Sequence, residues 1–292
     1  MPAPTPPPLV DVKPAQEIRT LSPVNEVAAD GGRAATLVGT AQAWEYLLVW
    51  SPKGVVIRAS LNCQTQESNV VLAGNRFAHV CFQGGENYVV TGTLRPLRAR
   101  VALRARGFVS LAGAGNVVAG SAQTKLWRFD TRKRVLLHTY AQPAIALDLD
   151  GGRILVDRSP RALQVVTSDG RVQARLTLAH DGGAVLHGDR IATIANRRVV
   201  LTDLHGRRVL TRSVVRGARI EDFDGKVVVY SVETRLHVLR IVDGRDVALR
   251  LRGQFGYARA RLSGDGLFYA YNAQRGQTGR AGFVLVRALL RG

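Results

Sequence analysis

Few residues in this chain have the type and spacing that chemistry requires. Two cysteines, Cys63 and Cys81, are separated by 17 intervening residues. Two acidic pairs, Asp148-x-Asp150 and Asp222-x-Asp224, each run into a glycine, and His180 is followed by Asp181. The remaining resource is charge: 41 Lys+Arg against 22 Asp+Glu, a formal net charge of +19, with only five of the 41 being lysine. The chemistry on offer is therefore cysteine pairing, carboxylate coordination, acid–base work by one His–Asp couple, and anion recognition by guanidinium groups.

Most of these options are weak at the level of residues. A calcium site needs six or more oxygens, and each acidic pair brings two carboxylates to a turn. Aspartates at such turns accept local backbone hydrogen bonds, so a structural role is expected and no metal. Neither His-Glu-x-x-His nor a four-ligand Cys/His cluster is present. Ser110 lies in Val-Ser-Leu-Ala-Gly, which lacks the first glycine of a nucleophile elbow. Gly113-Ala-Gly115 opens onto Asn116-Val-Val-Ala, a strand pattern without a helix N-terminus to hold phosphate. The six histidines fall in different repeats or in turns, and His180-Asp181 reads as an exposed loop pair. No cofactor and no catalytic residue are expected.

The elements that must carry these residues are repeats. From Ala144 to Arg252 one pattern is written three times: four short β-branched or Leu-rich runs, with a Gly-bearing turn after the first and another after the third. The residue following the first turn recurs as Arg33, Arg76, Asn116, Arg153, Arg190, Lys226 and Leu267, at intervals of 43, 40, 37, 37, 36 and 41. A period of roughly 40 residues with four strands each is the signature of a β-propeller, one repeat per blade. Runs such as Val227-Val228-Val229-Tyr230 are stiff at χ1 and suit a pleated sheet. Turns such as Ser168-Asp169-Gly170 and Asp224-Gly225-Lys226 place glycine where φ is positive.

The expected fold is all-β, a seven-bladed propeller of four-stranded antiparallel blades over residues 9–292. The blades fall at about 27–62, 68–106, 107–140, 141–179, 180–215, 216–254 and 255–291. Residues 1–8, with five prolines, read as an extended tether. They show no charged start and apolar core of an intact signal peptide, so a processed, exported form is expected. Phe283-Val284-Leu285-Val286 leaves little chain for a last strand, and Glu17-Ile18-Arg19 is expected to supply it and close the ring. Asn272 to Arg280 reads as a long mobile loop, and no helix is predicted. No run approaches 18 apolar residues, which excludes a helical membrane span.

Repeats such as DFDGKVVVYSVETRLHVLRIVDGRDVALRLR resemble those of seven-bladed propellers of the WD-repeat and TolB-like kind. The likeness runs from Val27 to Arg291 and is architectural. The Trp-Asp that ends a third strand in WD repeats is replaced by Phe129-Asp130, Val242-Asp243 and Ser168-Asp169, and the Gly-His opening is missing. The resemblance implies an exported bacterial-type binding platform and carries over no catalytic residues.

Placed on that architecture, Cys63 and Cys81 fall at the same face of neighbouring blades. They read as a disulfide, hence an extracellular or periplasmic protein, against the alternative of two buried thiols in a cytoplasmic one. Trp50 and Trp127 are expected to pack between blades. Trp44 is placed in a second-to-third-strand loop. With Arg158, Arg161, Arg197, Arg198, Arg216, Arg219, Arg235, Arg275 and Arg280 it defines a candidate binding face for a protein or an anionic polymer. Nucleic acid is disfavoured for want of exposed aromatics among the basic loops, and a monomer is expected. The alternatives are arginines neutralised by local acids such as Asp157, Asp181 and Glu233, or a hydrolase or lyase with a dispersed site at the channel mouth.

Overall fold

The computed structural model describes residues 6–40, 43–63, 69–130, 133–159, 161–180 and 183–291. Seven antiparallel sheets form a ring, each entered by its innermost strand. The inner strands are Val24–Asp30, Val70–Ala73, Val109–Ala114, Ile145–Asp150, Ala184–His187, Ala218–Phe223 and Phe255–Ser263. Between successive blades lies one apolar cluster, seven among the described residues. This explains why the second strands are apolar on both faces. Val227–Val232, for example, has neighbours above and below, and five of its six residues are buried.

The ring closes as the sequence predicts. Gln16–Thr20 is the outer strand of blade 7, antiparallel to Thr278–Leu285, with Ile18 opposite Ala281. Trp50 packs across the same seam, its ring centroid 6.3 Å from that of Phe268 of blade 7. A second N-terminal strand was not foreseen: Leu9–Asp11 adds in parallel to Asp246–Arg250, making blade 6 five-stranded. The tether assigned to residues 1–8 lies mostly outside the described residues. Pro8 accepts a backbone hydrogen bond from Ala248, so it belongs to the fold.

Two other expectations need correction. Residues 272–280 are not a long loop. The strands Gly266–Ala273 and Thr278–Leu285 take up most of them, leaving a 3-10 turn at Gln274–Gly276. The Gly and Gln content suggested a loop, but ladder pairing with both neighbours overrides that local preference. After the last strand, Val286–Leu289 forms a single helical turn, held by burial of Val286, Leu289 and Leu290 in the blade 6–7 cluster.

The antiparallel order gives the ring two unlike faces. One, the turn face, carries the connections from first to second and third to fourth strands. The other, the loop face, carries the second-to-third and blade-to-blade connections. On the turn face the periodic arginines reach across to the next blade. Arg33 Nη2 donates to Gly74 O at 2.8 Å, Arg76 Nη1 to Asn116 O at 3.0 Å, and Arg153 Nη1 to Asp189 Oδ1 at 2.7 Å. Asp30 and Asp150 answer by accepting the Gly74 and Gly188 amides. Gly74 must be glycine here: its φ is +56°, and a Cβ would meet Gly115 O at 2.4 Å. After the first turns of blades 1, 2 and 4, arginine thus acts as a device for locking neighbouring blades together.

Candidate functional site

The loop face collects arginines of a different kind. Arg161, Arg197, Arg216, Arg235 and Arg275 stand exposed in or beside its connections on blades 4 to 7. Arg198 and Arg219 lie exposed on adjoining strands. None of these seven side chains has a hydrogen bond or ion pair among the described residues. Two members of the predicted set differ. Arg280 lies within a strand and is held by Glu17 at 3.0 Å. Arg158 ends a strand and lies over the Tyr140 ring at 4.8 Å. Of the acids expected to neutralise this face, Asp157 is engaged with His180 at 3.6 Å. Asp181, which sequence had paired with His180, lies outside the described residues.

Trp44 is not in a loop. Its backbone begins the third strand of blade 1, Ala43–Ser51, opposite Gly39, and its side chain lies outside the described residues. Aromatic groups are nonetheless present on this face, contrary to the sequence reading. Tyr257, Phe255 and Phe108 are 68%, 52% and 52% exposed. The first two lie on the inner strand of blade 7, beside Arg259. The ladder slips between Phe255 and Ala258, leaving Phe255 and Tyr257 exposed, and nothing in the local sequence signals that bulge. Between blades 4 and 5, Arg198 and Arg208 border a cleft of about 560 Å3 that also presents Thr177, Thr193, Thr202 and Thr211.

The central channel opens toward the turn face as a cavity of about 260 Å3, with Glu26, Asp148, Asp150, Asp222, Asp224, His187 and Arg261 on its wall. Acids and a histidine at the channel are what an enzyme would need. Each of the four aspartates, however, has at least one oxygen committed to a backbone amide. Asp148 Oδ2 accepts the Leu186 amide of the next blade at 2.7 Å, and Asp222 Oδ2 accepts the Leu262 amide at 2.6 Å. The sequence expectation of local backbone bonds is thus incomplete: Asp148 takes the adjacent Leu149 amide as well as that of Leu186, and Asp150 takes the Gly188 amide of the next blade. Asp222 and Asp224 do also accept the nearby amides of Phe223 and Lys226. Bulges at Ala146/Asp148 and Ile220/Asp222 aim both inner aspartates inward. Burial pushes the Asp148 carboxyl up to about 6 and that of Asp222 to about 7, against the lowering effect of Arg261 and the amides. Glu221, buried beneath them, takes Arg259 at 3.1 Å and Ser231 at 2.8 Å.

Cys63 and Cys81 form a disulfide, as predicted, with Cα atoms 5.4 Å apart. It ties the outer strand of blade 1 to the second strand of blade 2. Its loop of this length contributes about 3 kcal/mol by restricting the unfolded chain. The Cys63→Ser/Cys81→Ser variant is expected to unfold in denaturant with a midpoint lowered accordingly, while remaining folded in buffer. An unchanged midpoint would show that the bridge adds no stability. The third member of this group went unread: His79, two residues before Cys81 and therefore on the same side of the strand, has Nδ1 3.4 Å from Cys81 Sγ. Burial pushes its ring down to about 4.

No protein-family model matches this chain, and no curated protein matches it in sequence. Solved structures do match in shape. KlHsv2 with loop 6CD replaced by a Gly-Ser linker is 12% identical, with a TM-score of 0.60 over 86% of this chain and 89% of that one. The β-propeller domain of the Trilobed protease from Pyrococcus furiosus is 11% identical, with a TM-score of 0.58 over 87% and 92%. AztD from Citrobacter koseri is 14% identical, with a TM-score of 0.50 over 80% and 73%. At these identities the likeness establishes architecture alone. The chain is a seven-bladed β-propeller, closed in blade 7 by a strand from its own N-terminal segment.

Proposed function

We propose that this chain is an exported, non-enzymatic binding propeller that takes an anionic polymer on its loop face. One observation carries the reading: an arc of exposed arginines on the loop face without side-chain partners among the described residues. On the turn face, by contrast, Arg33, Arg76, Arg153 and Arg212 donate to carbonyls and a carboxylate of neighbouring blades. The seven of the loop face on blades 4 to 7 have no such partner among the described residues, so their charge is directed to solvent. An uncompensated arc of guanidinium groups concentrates counter-ions and gains affinity when a polyanion displaces them. The disulfide supports an oxidising compartment. Exposed Tyr257 and Phe255 on blade 7, within this arc, remove the argument against nucleic acid, because bases stack on such rings. The committed oxygens of the channel aspartates favour binding over acid–base catalysis.

The test is a titration against polyphosphate, a DNA duplex and a single-stranded DNA at several salt concentrations. Micromolar binding at ~0.15 M salt that weakens steeply above it is expected. The Arg197→Glu/Arg235→Glu/Arg275→Glu variant is expected to lose at least roughly tenfold in affinity, with a shallower salt dependence. Equal binding by this variant and the parent would overturn the assignment of the loop face. Preference for the single strand, lost in Tyr257→Ala, would identify base stacking.

A further inference from the structure

Blades 1 and 2 turn three reactive side chains toward one point. Alternation along the second strand of blade 2, Arg76–Gln83, puts Phe77, His79 and Cys81 on the side that packs against blade 1. The outer strand of blade 1 ends at Cys63 on that same interface. The two sulfurs and a ring nitrogen of His79 all lie within 4.8 Å of one another. His79 is only 1% exposed, and the nitrogen that faces the sulfurs is Nδ1, 3.4 Å from Cys81 Sγ. Burying an imidazole costs free energy unless its nitrogens are engaged. The ring is offered a backbone hydrogen bond with Val80 and an uncharged disulfide sulfur, a weak acceptor. A metal ion shared with two thiolates would offset far more of the burial cost.

We propose that Cys63, His79 and Cys81 form a redox-gated site for a zinc-type divalent cation. A dithiol reductant opens it. The S–S bond breaks, two electrons and two protons convert the sulfurs to thiols, and the reductant leaves as its own disulfide. Zn2+ then displaces both thiol protons to solvent. It bonds to the two thiolate sulfurs and to Nδ1 of His79, with water as the fourth ligand. Thiolate and imidazole are preferred zinc donors, at about 2.3 and 2.0–2.1 Å, which sets the donor atoms roughly 3.5–3.8 Å apart. Atoms already confined within 4.8 Å reach that arrangement by side-chain rotation as the sulfurs separate. Cys81 is half-buried, so reductant and cation reach it from the loop face. In the reverse direction a small-molecule disulfide accepts the two electrons and two solvent protons, leaving as two thiols, while the Cys63–Cys81 S–S bond re-forms and the ion is expelled.

Cobalt(II) titration of the full chain tests this, before and after reduction with a phosphine that is then removed. One Co2+ per reduced chain is expected, with near-ultraviolet thiolate-to-cobalt absorption that added Zn2+ abolishes, and none for the oxidised chain. His79→Ala, after reduction, is expected to weaken binding by roughly 100-fold, and Cys63→Ser/Cys81→Ser to remove the absorption. Circular dichroism accompanies each sample, and His79→Gln controls for packing. The proposal is overturned if the reduced chain shows no cobalt–sulfur band or if His79→Ala binds like the parent. It fails equally if reduction alone unfolds the chain, because the three ligands would then not be held together.

Discussion

Replacing Trp50 with alanine is expected to cost about 3–5 kcal/mol of stability, a large share of what a single domain has. Trp50 is 0% exposed and sits where blade 1 meets blade 7. Alanine there leaves a cavity too enclosed to collapse, since Phe268 and Phe283 opposite are fixed by their own blade. It also removes the indole N–H that donates to Gly282 O at 3.4 Å, leaving a buried carbonyl short of a partner. The site matters further because this seam is where the ring closes. Trp127→Ala is the comparison: that residue is half-buried, with Arg134 over its ring at 5.0 Å, and should cost well under half as much. Denaturant unfolding of the two variants reads the difference directly. Similar costs for both would show that the blade 1–7 seam is no tighter than the rest of the ring.

Stability should fall as pH rises from about 4 to about 8, and the Asp148→Asn/Asp222→Asn variant should flatten that slope. Both carboxyls are raised in the folded state, chiefly by burial. Below about pH 4 they are protonated whether the chain is folded or not, and the folded state bears no penalty. As pH rises, the unfolded chain ionises first while the native one holds its protons. Above about 7 both states are ionised and the full cost of the buried charges is felt, on the order of a few kcal/mol for the pair. Asp148 and Asp222 raise one another, so they titrate as a pair. Arg261 offsets part of the cost and is itself held by Glu221 and Glu26. Asparagine is the fixed analogue of the protonated acid and still accepts the Leu186 or Leu262 amide. Unfolding free energies at pH 5 and pH 8 decide the matter: equal slopes for variant and parent would mean that Arg261 fully compensates both carboxylates.

Much of this architecture is legible in the chain because each blade announces itself locally. A glycine turn and a β-branched run recur every 36 to 43 residues, and Ile18 could be recognised as a missing fourth strand by its place in the count. What escaped depends on partners far away in sequence. Leu9–Asp11 is three residues long, too short for any period to show, and exists as a strand only because blade 6 offers an edge. Arg33, Arg76 and Arg153 were visible as a repeat. Their acceptors lie 36 to 41 positions further on in the next blade, so a charge count treated them as available for binding. Arg280 was read as a loop residue because Glu17, which holds it, is at the other end of the chain. The Cys–His group was the nearest miss. His79-Val80-Cys81 has the two-residue spacing of one strand face, and only the habit of searching for four-ligand motifs hid it.

The N-terminal segment has a mechanical consequence. It fastens twice, by Leu9–Asp11 to blade 6 and then by Gln16–Thr20 to blade 7. A load applied at the N-terminus reaches the first attachment before the second. That first attachment is a short, largely exposed edge strand of three paired residues, and it yields most easily. The second is a five-residue antiparallel ladder backed by buried Ile18 and the Glu17–Arg280 pair. If the molecule hangs from a tether at this end, a tug peels Leu9–Asp11 away and lengthens the leash, while the ring stays shut.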